Sequence, residues 1–133
     1  MVLLLKRARE LDCTFVGTGG EVLPQELLQE LDTISKSVNF KKIYKRGLLS
    51  NYREFIAPIE GRSYLISCDM MTGDGTDYST LVVLDLQELR ICGTLKIQVQ
   101  PKYFAEVVSE IARRFNNAVI CIENQGGGAT ALS

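Results

Sequence analysis

The chain has 133 residues, 46% hydrophobic and 23% charged, with a formal net charge of −1, a length that suits one domain able to bury roughly two-thirds of its unfolded surface. No apolar run approaches the roughly 20 residues that span a bilayer, and "VLLL" after Met1 is too short for a signal-peptide core and has no small-residue cleavage site behind it, so the protein is expected to stay in a cytoplasm. With no histidine and four widely spaced cysteines (Cys13, Cys68, Cys92 and Cys121), a zinc site or a Cys-His nucleophile has no parts; the cysteines read as reduced core residues, and any metal must be held by oxygen, which points to Mg2+ or Mn2+.

In chain order, "LLLKRARELD" has helical spacing and "CTFVGTGGEVLP" reads as a short strand entering a Gly-rich turn. Pro24 suits a first helical position, so "PQELLQELDTIS" is expected to be a helix with Leu27, Leu28 and Leu31 on one face. Lys36 to Arg53, "KSVNFKKIYKRGLLSNYR", holds six basic residues and no acid, which leaves nine basic against sixteen acidic residues elsewhere, a balance of −7. Phe40, Tyr44 and Tyr52 are interleaved with Lys41, Lys42, Lys45 and Arg46, as on a surface that meets a phosphate backbone. A solvated positive connector fits the same residues equally well. The irregular stretch from Val38 to Ile59 reads as a connection into a second unit.

From Arg62 onward the pattern sharpens. "SYLISCD" and "STLVVLDL" are strands, the second almost continuously apolar and so expected to be buried on both faces; "QELR" turns the chain, and "ICGTLKIQV" is a third strand with partial alternation. Pro101 opens "PKYFAEVVSEIARRF", where Phe104, Val107, Val108 and Ile111 follow the spacing of an amphipathic helix, and "NNAVICIEN" is a last strand ending on Glu123. This order implies an α/β fold: a three-strand meander, then a right-handed crossover helix that returns the fourth strand parallel to the first, with the third strand at the sheet edge. Asp69 and Glu123 would then leave the same end of two adjacent parallel strands, where open sheets place ligands.

Taken alone, Asp69 is a strand-end aspartate suited to a turn, Asp74 a solvated turn residue, and Glu123 an acid favouring the start of a following helix. Taken together, Asp69 and Glu123 are two carboxylates with no basic partner, which repel unless a cation lies between them. A divalent metal resolves this, and paired metal ions are a standard device for hydrolysing phosphodiesters. Gly73 and Gly75 would let the backbone approach a substrate closely, and Asp77 is a candidate further ligand.

The segment "YLISCDMMTGDGTDYSTLVVLDL", together with "AVICIENQGGG", resembles the nuclease domain of the large terminase subunit of tailed bacteriophages, and "CTFVGTGGEVLPQELL" resembles the segment joining the ATPase and nuclease domains of those proteins. The resemblance covers most of the chain and is strongest from Tyr64 to Gly128. It implies a ribonuclease H-like mixed sheet, truncated here before the end of the fold, with residues 1–60 as the end of an ATPase-side region and its linker and 61–133 as the N-terminal part of the nuclease domain. It further implies a Mg2+- or Mn2+-dependent endonuclease that cuts concatemeric double-stranded viral DNA during packaging. Asp69 and Glu123 match catalytic acids and metal ligands, Asp77 matches a supporting acid, and Asn124 and Gly126 match the Asn and glycine that follow the later acid. The third catalytic acid of that family lies beyond a further helix and strand and is not in this chain, and no G-x-x-x-x-G-K-[ST] stretch is present for an ATP-driven motor. Implied partners of the full-length protein are viral DNA, the portal protein and the small terminase subunit, and the implied location is the cytoplasm of an infected bacterial host. Lys41, Lys42, Lys45, Arg46 and Asn124 are the candidate DNA contacts. Two other readings use the same residues: a DNA-binding or packing module without catalysis, which predicts strongly salt-dependent DNA binding with no metal requirement, and an actin- or sugar-kinase-like ATP-binding fragment.

Overall fold

A computed structural model of the protein describes residues 22–71 and 76–123. The helix and strand expected upstream of residue 22, Cys13, Gly73, Asp74, Gly75, Asn124 and the glycines at 126–128 lie outside the described residues. The chain divides into two compact units, Met1–Asn39 and Phe40–Ser133.

The described part of the first unit is helix α1, Gln25–Ser37, whose N-cap is Pro24. The proline therefore precedes the first helical residue, its extended ψ of 144° keeping it outside the helix. An Asp32–Lys36 pair at 2.6 Å joins successive turns on an exposed face, a spacing worth only a few tenths of a kcal/mol, about 0.3. Among the described residues no helix is long and apolar enough to cross a membrane.

Among the described residues the second unit is a five-stranded mixed sheet with one α-helix against it. Its strands are β1 (Arg53–Glu54), β2 (Tyr64–Asp69), β3 (Ser79–Asp85), β4 (Arg90–Ile97) and β5 (Val119–Ile122), with helix α2 (Pro101–Arg114) between β4 and β5. The order across the sheet is β1-β4-β3-β2-β5; β2, β3 and β4 form the antiparallel meander and β5 returns parallel to β2. The expected topology is thus present, with one correction: the third strand of the meander is not the edge. A short turn of 3-10 helix, Leu48–Asn51, leads into β1, which pairs with β4 at Arg53↔Thr94 and Glu54↔Gly93. Two residues are too few to carry a period in the sequence, so only the pairing reveals this strand.

The core lies between the sheet and α2. Phe104, Val107, Val108 and Ile111 of α2 are buried with Tyr64, Ile66 and Cys68 of β2, Leu81 and Val83 of β3, and Leu95 and Ile97 of β4. Strand β3 was expected to be buried on both faces, but Ser79, Leu81, Val83 and Asp85 are buried while Thr80, Val82 and Leu84 are only half-buried. Helix α2 covers one face; the other is open among the described residues. The β3–β4 turn occupies Leu86 to Leu89, one residue earlier than the sequence suggested, and a bulge between Val83 and Leu84 absorbs Cys92. The Cys92 carbonyl accepts the backbone N–H groups of Phe55 and Ile56 at 2.8 and 3.2 Å, fastening the segment after β1 to β4.

After α2, Asn116 and Asn117 adopt positive φ angles of 55° and 58°, a conformation that asparagine tolerates better than most side chains. The Asn116 side chain donates to the carbonyls of Ile59 and Arg62 at 2.8 and 3.0 Å. The entry to β5 is thereby tied to the entry to β2, which sets the two strands side by side.

Candidate active site

The parallel register of β2 and β5 runs from Leu65↔Val119 to Cys68↔Ile122. Asp69 and Glu123 are the next residue on each strand, so they leave the same end of two hydrogen-bonded neighbours, about 4.8 Å apart across the sheet. Both are exposed, and among the described residues neither has a hydrogen-bond or ion-pair partner. Asp85, the other strand-end aspartate, behaves in the opposite way. It is buried, pairs with Arg62 at 2.7 Å, and accepts the backbone N–H groups of Gln87 and Glu88 at 2.9 and 3.2 Å. Burial pushes the Asp85 carboxyl up, but the Arg62 guanidinium and the two backbone donors outweigh it and hold the carboxyl below its ordinary value. Asp85 is therefore a turn-builder, whereas the described surroundings of Asp69 give it no such employment.

The chain leaving Asp69 is anchored rather than loose. Met70 and Met71 are buried, and the Met71 backbone N–H donates to the buried Ser79 hydroxyl at 3.1 Å. Ahead of β3, the Gln98 side chain donates to the Thr76 carbonyl at 2.6 Å. Asp77 is exposed, and its carboxylate accepts the N–H of Tyr78 at 2.8 Å. Lys41, Lys42, Lys45 and Arg46 are all exposed in the second unit. Lys41 is bridged to Glu54 through backbone hydrogen bonds of 2.7 and 3.0 Å, which extends the sheet edge beyond β1.

The donor set at the end of β2 and β5 is two carboxylates, all oxygen, like-charged and close to no described cation, which fits a hard divalent ion. Among the described residues no group of three or more His, Cys, Asp or Glu side chains could hold a metal ion, so the fit extends to a two-carboxylate seat. The cysteines take no part in it. Cys68 and Cys92 are buried and unpaired, and burial pushes the Cys68 thiol up to about 12 and the Cys92 thiol up as well. Cys121 departs from the expected core role: it is exposed, because β5 is the outer strand and Cys121 pairs with Ser67 on the open face.

Residues that the sequence did not single out stand beside Asp69. Thr80 of β3 pairs with Asp69 on one side and Lys96 of β4 on the other. Paired residues project from the same face, so Lys96, Thr80 and Asp69 form a row across the open side of the sheet. The alternation within "TLKI" was the available signal, since buried Leu95 and Ile97 put Thr94 and Lys96 opposite them.

No protein-family model matches the chain, and no curated protein matches it. Solved structures do match its fold. The large terminase nuclease from thermophilic phage G20c with bound magnesium aligns at a TM-score of 0.56 and 21% identity, over 67% of this chain and 46% of that one. With bound cobalt the same nuclease aligns at 0.55 and 20%, over 67% and 45%. The large terminase nuclease domain of Thermus phage P74-26 aligns at 0.51 and 17%, over 60% and 40%. The chain therefore spans less than half the length of these solved nucleases. Over that span its fold is the ribonuclease H-like mixed sheet of phage large terminase nuclease domains.

Proposed function

We propose that this chain is part of a metal-dependent endonuclease of the phage terminase type, acting on double-stranded DNA, with Asp69 and Glu123 as the metal-holding carboxylates. The observation that carries this reading is the β2–β5 register, which ends at Cys68↔Ile122 with Asp69 and Glu123 as the next residue on each strand, neither with a partner among the described residues. The fold shared with nucleases solved with magnesium or cobalt supports it. In this reading residues 61–133 belong to the nuclease domain, Asp77 assists as a supporting acid, and the packaging partners and the host cytoplasm belong to the whole protein.

A divalent ion bound there supplies an activated water and a counter-charge for the leaving oxygen of a phosphodiester. The chain's own contribution is rigidity and charge. Asp69 is held by a strand paired on both sides, and Met71 two residues on is fastened to the Ser79 hydroxyl, so the carboxylate needs little reorganisation to receive a cation.

Titration with Mn2+, followed by electron paramagnetic resonance, tests the assignment. Wild type is expected to bind; Asp69→Asn and Glu123→Gln should each weaken binding at least about tenfold, the loss of one charged ligand being worth more than 1.4 kcal/mol. Asp77→Asn should have a smaller effect. Unchanged Mn2+ affinity in both of the first two variants would sink the assignment.

A further inference from the structure

The face of the sheet away from α2 carries a groove of about 540 Å³ lined by Lys42, Asn51, Arg53, Thr80, Thr94 and Lys96 among its residues, with no acid among the described residues of the lining. The strand register explains its composition. Arg53 pairs with Thr94, Thr94 with Val82, and Lys96 with Thr80. Two rows from three strands thus present cations and hydroxyls on the side of the sheet away from α2. Arg53 lies over the Phe40 ring at 4.8 Å and Lys96 over the Tyr78 ring at 4.5 Å. These stacks hold the two charges in place without neutralising them. Among the described residues Lys42, Arg53 and Lys96 have no carboxylate partner, whereas Lys36, Arg62, Arg90 and Arg114 are each in an ion pair.

We propose that this groove is the track on which a DNA phosphate backbone lies as it approaches Asp69, a role that rests on the nuclease reading for its end point only. Lys96 and Asp69 stand in one row on either side of Thr80, two strand spacings or about 10 Å apart. At about 3.4 Å of axial advance per nucleotide, that is roughly three nucleotides from the cation to the carboxylate. The three cations meet phosphate charges and the hydroxyls of Thr80 and Thr94 donate to phosphate oxygens, contacts that position a strand and carry no sequence information themselves. An acidic peptide is the competing ligand for such a surface. It would use the same charges but draw nothing from the alignment with Asp69.

The test uses the full chain, a 30-base-pair duplex and EDTA throughout, with affinity measured by fluorescence anisotropy across a salt series. Wild type should bind with a salt-dependent affinity. The Lys42→Gln/Arg53→Gln/Lys96→Gln variant should lose about 2 to 3 from the slope of log K against log salt, at roughly 0.9 per phosphate contact, and Lys96→Gln alone about 0.9. All three positions are exposed, and unchanged melting curves would confirm folding. Asp69→Asn/Glu123→Gln should keep the wild-type slope, so a failed manganese titration leaves this measurement standing and the two ideas fail separately. Absence of DNA binding by wild type, a triple variant with the wild-type slope, or competition by polyglutamate as effective as by DNA would overturn the proposal.

Discussion

Tyr52 and Gly93 decide how the edge of the sheet is closed. Tyr52 is fully buried and its ring lies against Gly93 so closely that a Cβ there would overlap the hydroxyl and the ring. Its hydroxyl has no hydrogen-bond partner of good geometry. Burial first, and then the Glu54 carboxylate beside it, push that hydroxyl well above its ordinary value, so it stays protonated. Gly93→Ala is expected to cost about 3 kcal/mol, at the upper end of overpacking effects, because a buried ring cannot swing into solvent. Tyr52→Phe should be neutral or stabilising by about 1 kcal/mol, since it removes a buried polar atom without a partner. Urea unfolding of the two variants checks both, and a loss beyond about 1 kcal/mol in Tyr52→Phe would mean that the hydroxyl does bond Glu54. The lone glycine in "ICGTLKIQV" signals close backbone approach in principle. Tyr52 was not identifiable as the group that approaches, because 40 residues separate them in the sequence.

At the scale of elements, α2 and β1 are joined by one ion pair. Glu54 of β1 is buried, and Arg114 in the last turn of α2 reaches it with two hydrogen bonds of 2.8 Å each. The pair raises the Arg114 guanidinium above its ordinary value. Removing one partner strands the other: Arg114→Ala is expected to destabilise by about 3 kcal/mol, the lower end for broken buried pairs, because Arg114 is partly solvated. Glu54→Leu/Arg114→Leu should recover much of that loss by replacing the pair with packed apolar groups, and thermal melts of single and double variants would reveal the coupling. Helix α2 itself was readable from the spacing of Phe104, Val107, Val108 and Ile111, all of which are buried. Its tie to β1 was not, because a salt bridge across 60 residues leaves no local trace.

For the whole molecule, acid stability should follow Asp85, which clamps the β3–β4 turn to Arg62 ahead of β2. Its folded pKa lies below its unfolded value of about 3.9, so the unfolded chain takes up the proton first as pH falls. The Asp85 contribution is complete above about pH 4 and lost below it as pH passes through the folded value. Melting temperature measured against pH should drop on that acid limb, and Asp85→Asn should flatten the limb while lowering stability at pH 7. An unchanged limb in the variant would assign the acid sensitivity to other carboxylates.

Period and order along the chain determined the element types, the meander, the crossover helix and the parallel return of β5 beside β2, because alternation and three-four spacing are local and the handedness of crossovers leaves few topologies. Asp69 and Glu123 could be set at one sheet end from that topology alone. Tertiary structure decided what no local pattern encodes: that Arg53–Glu54 adds a strand outside β4, that Thr80, Val82 and Leu84 on one face of β3 are only half-buried, and that Lys96, Thr80 and Asp69 share a row. The physical reason is register. A strand carries its own alternation, but which residue it meets across the sheet depends on hydrogen bonds to a distant segment, and a shift of one residue would turn every one of these side chains to the opposite face.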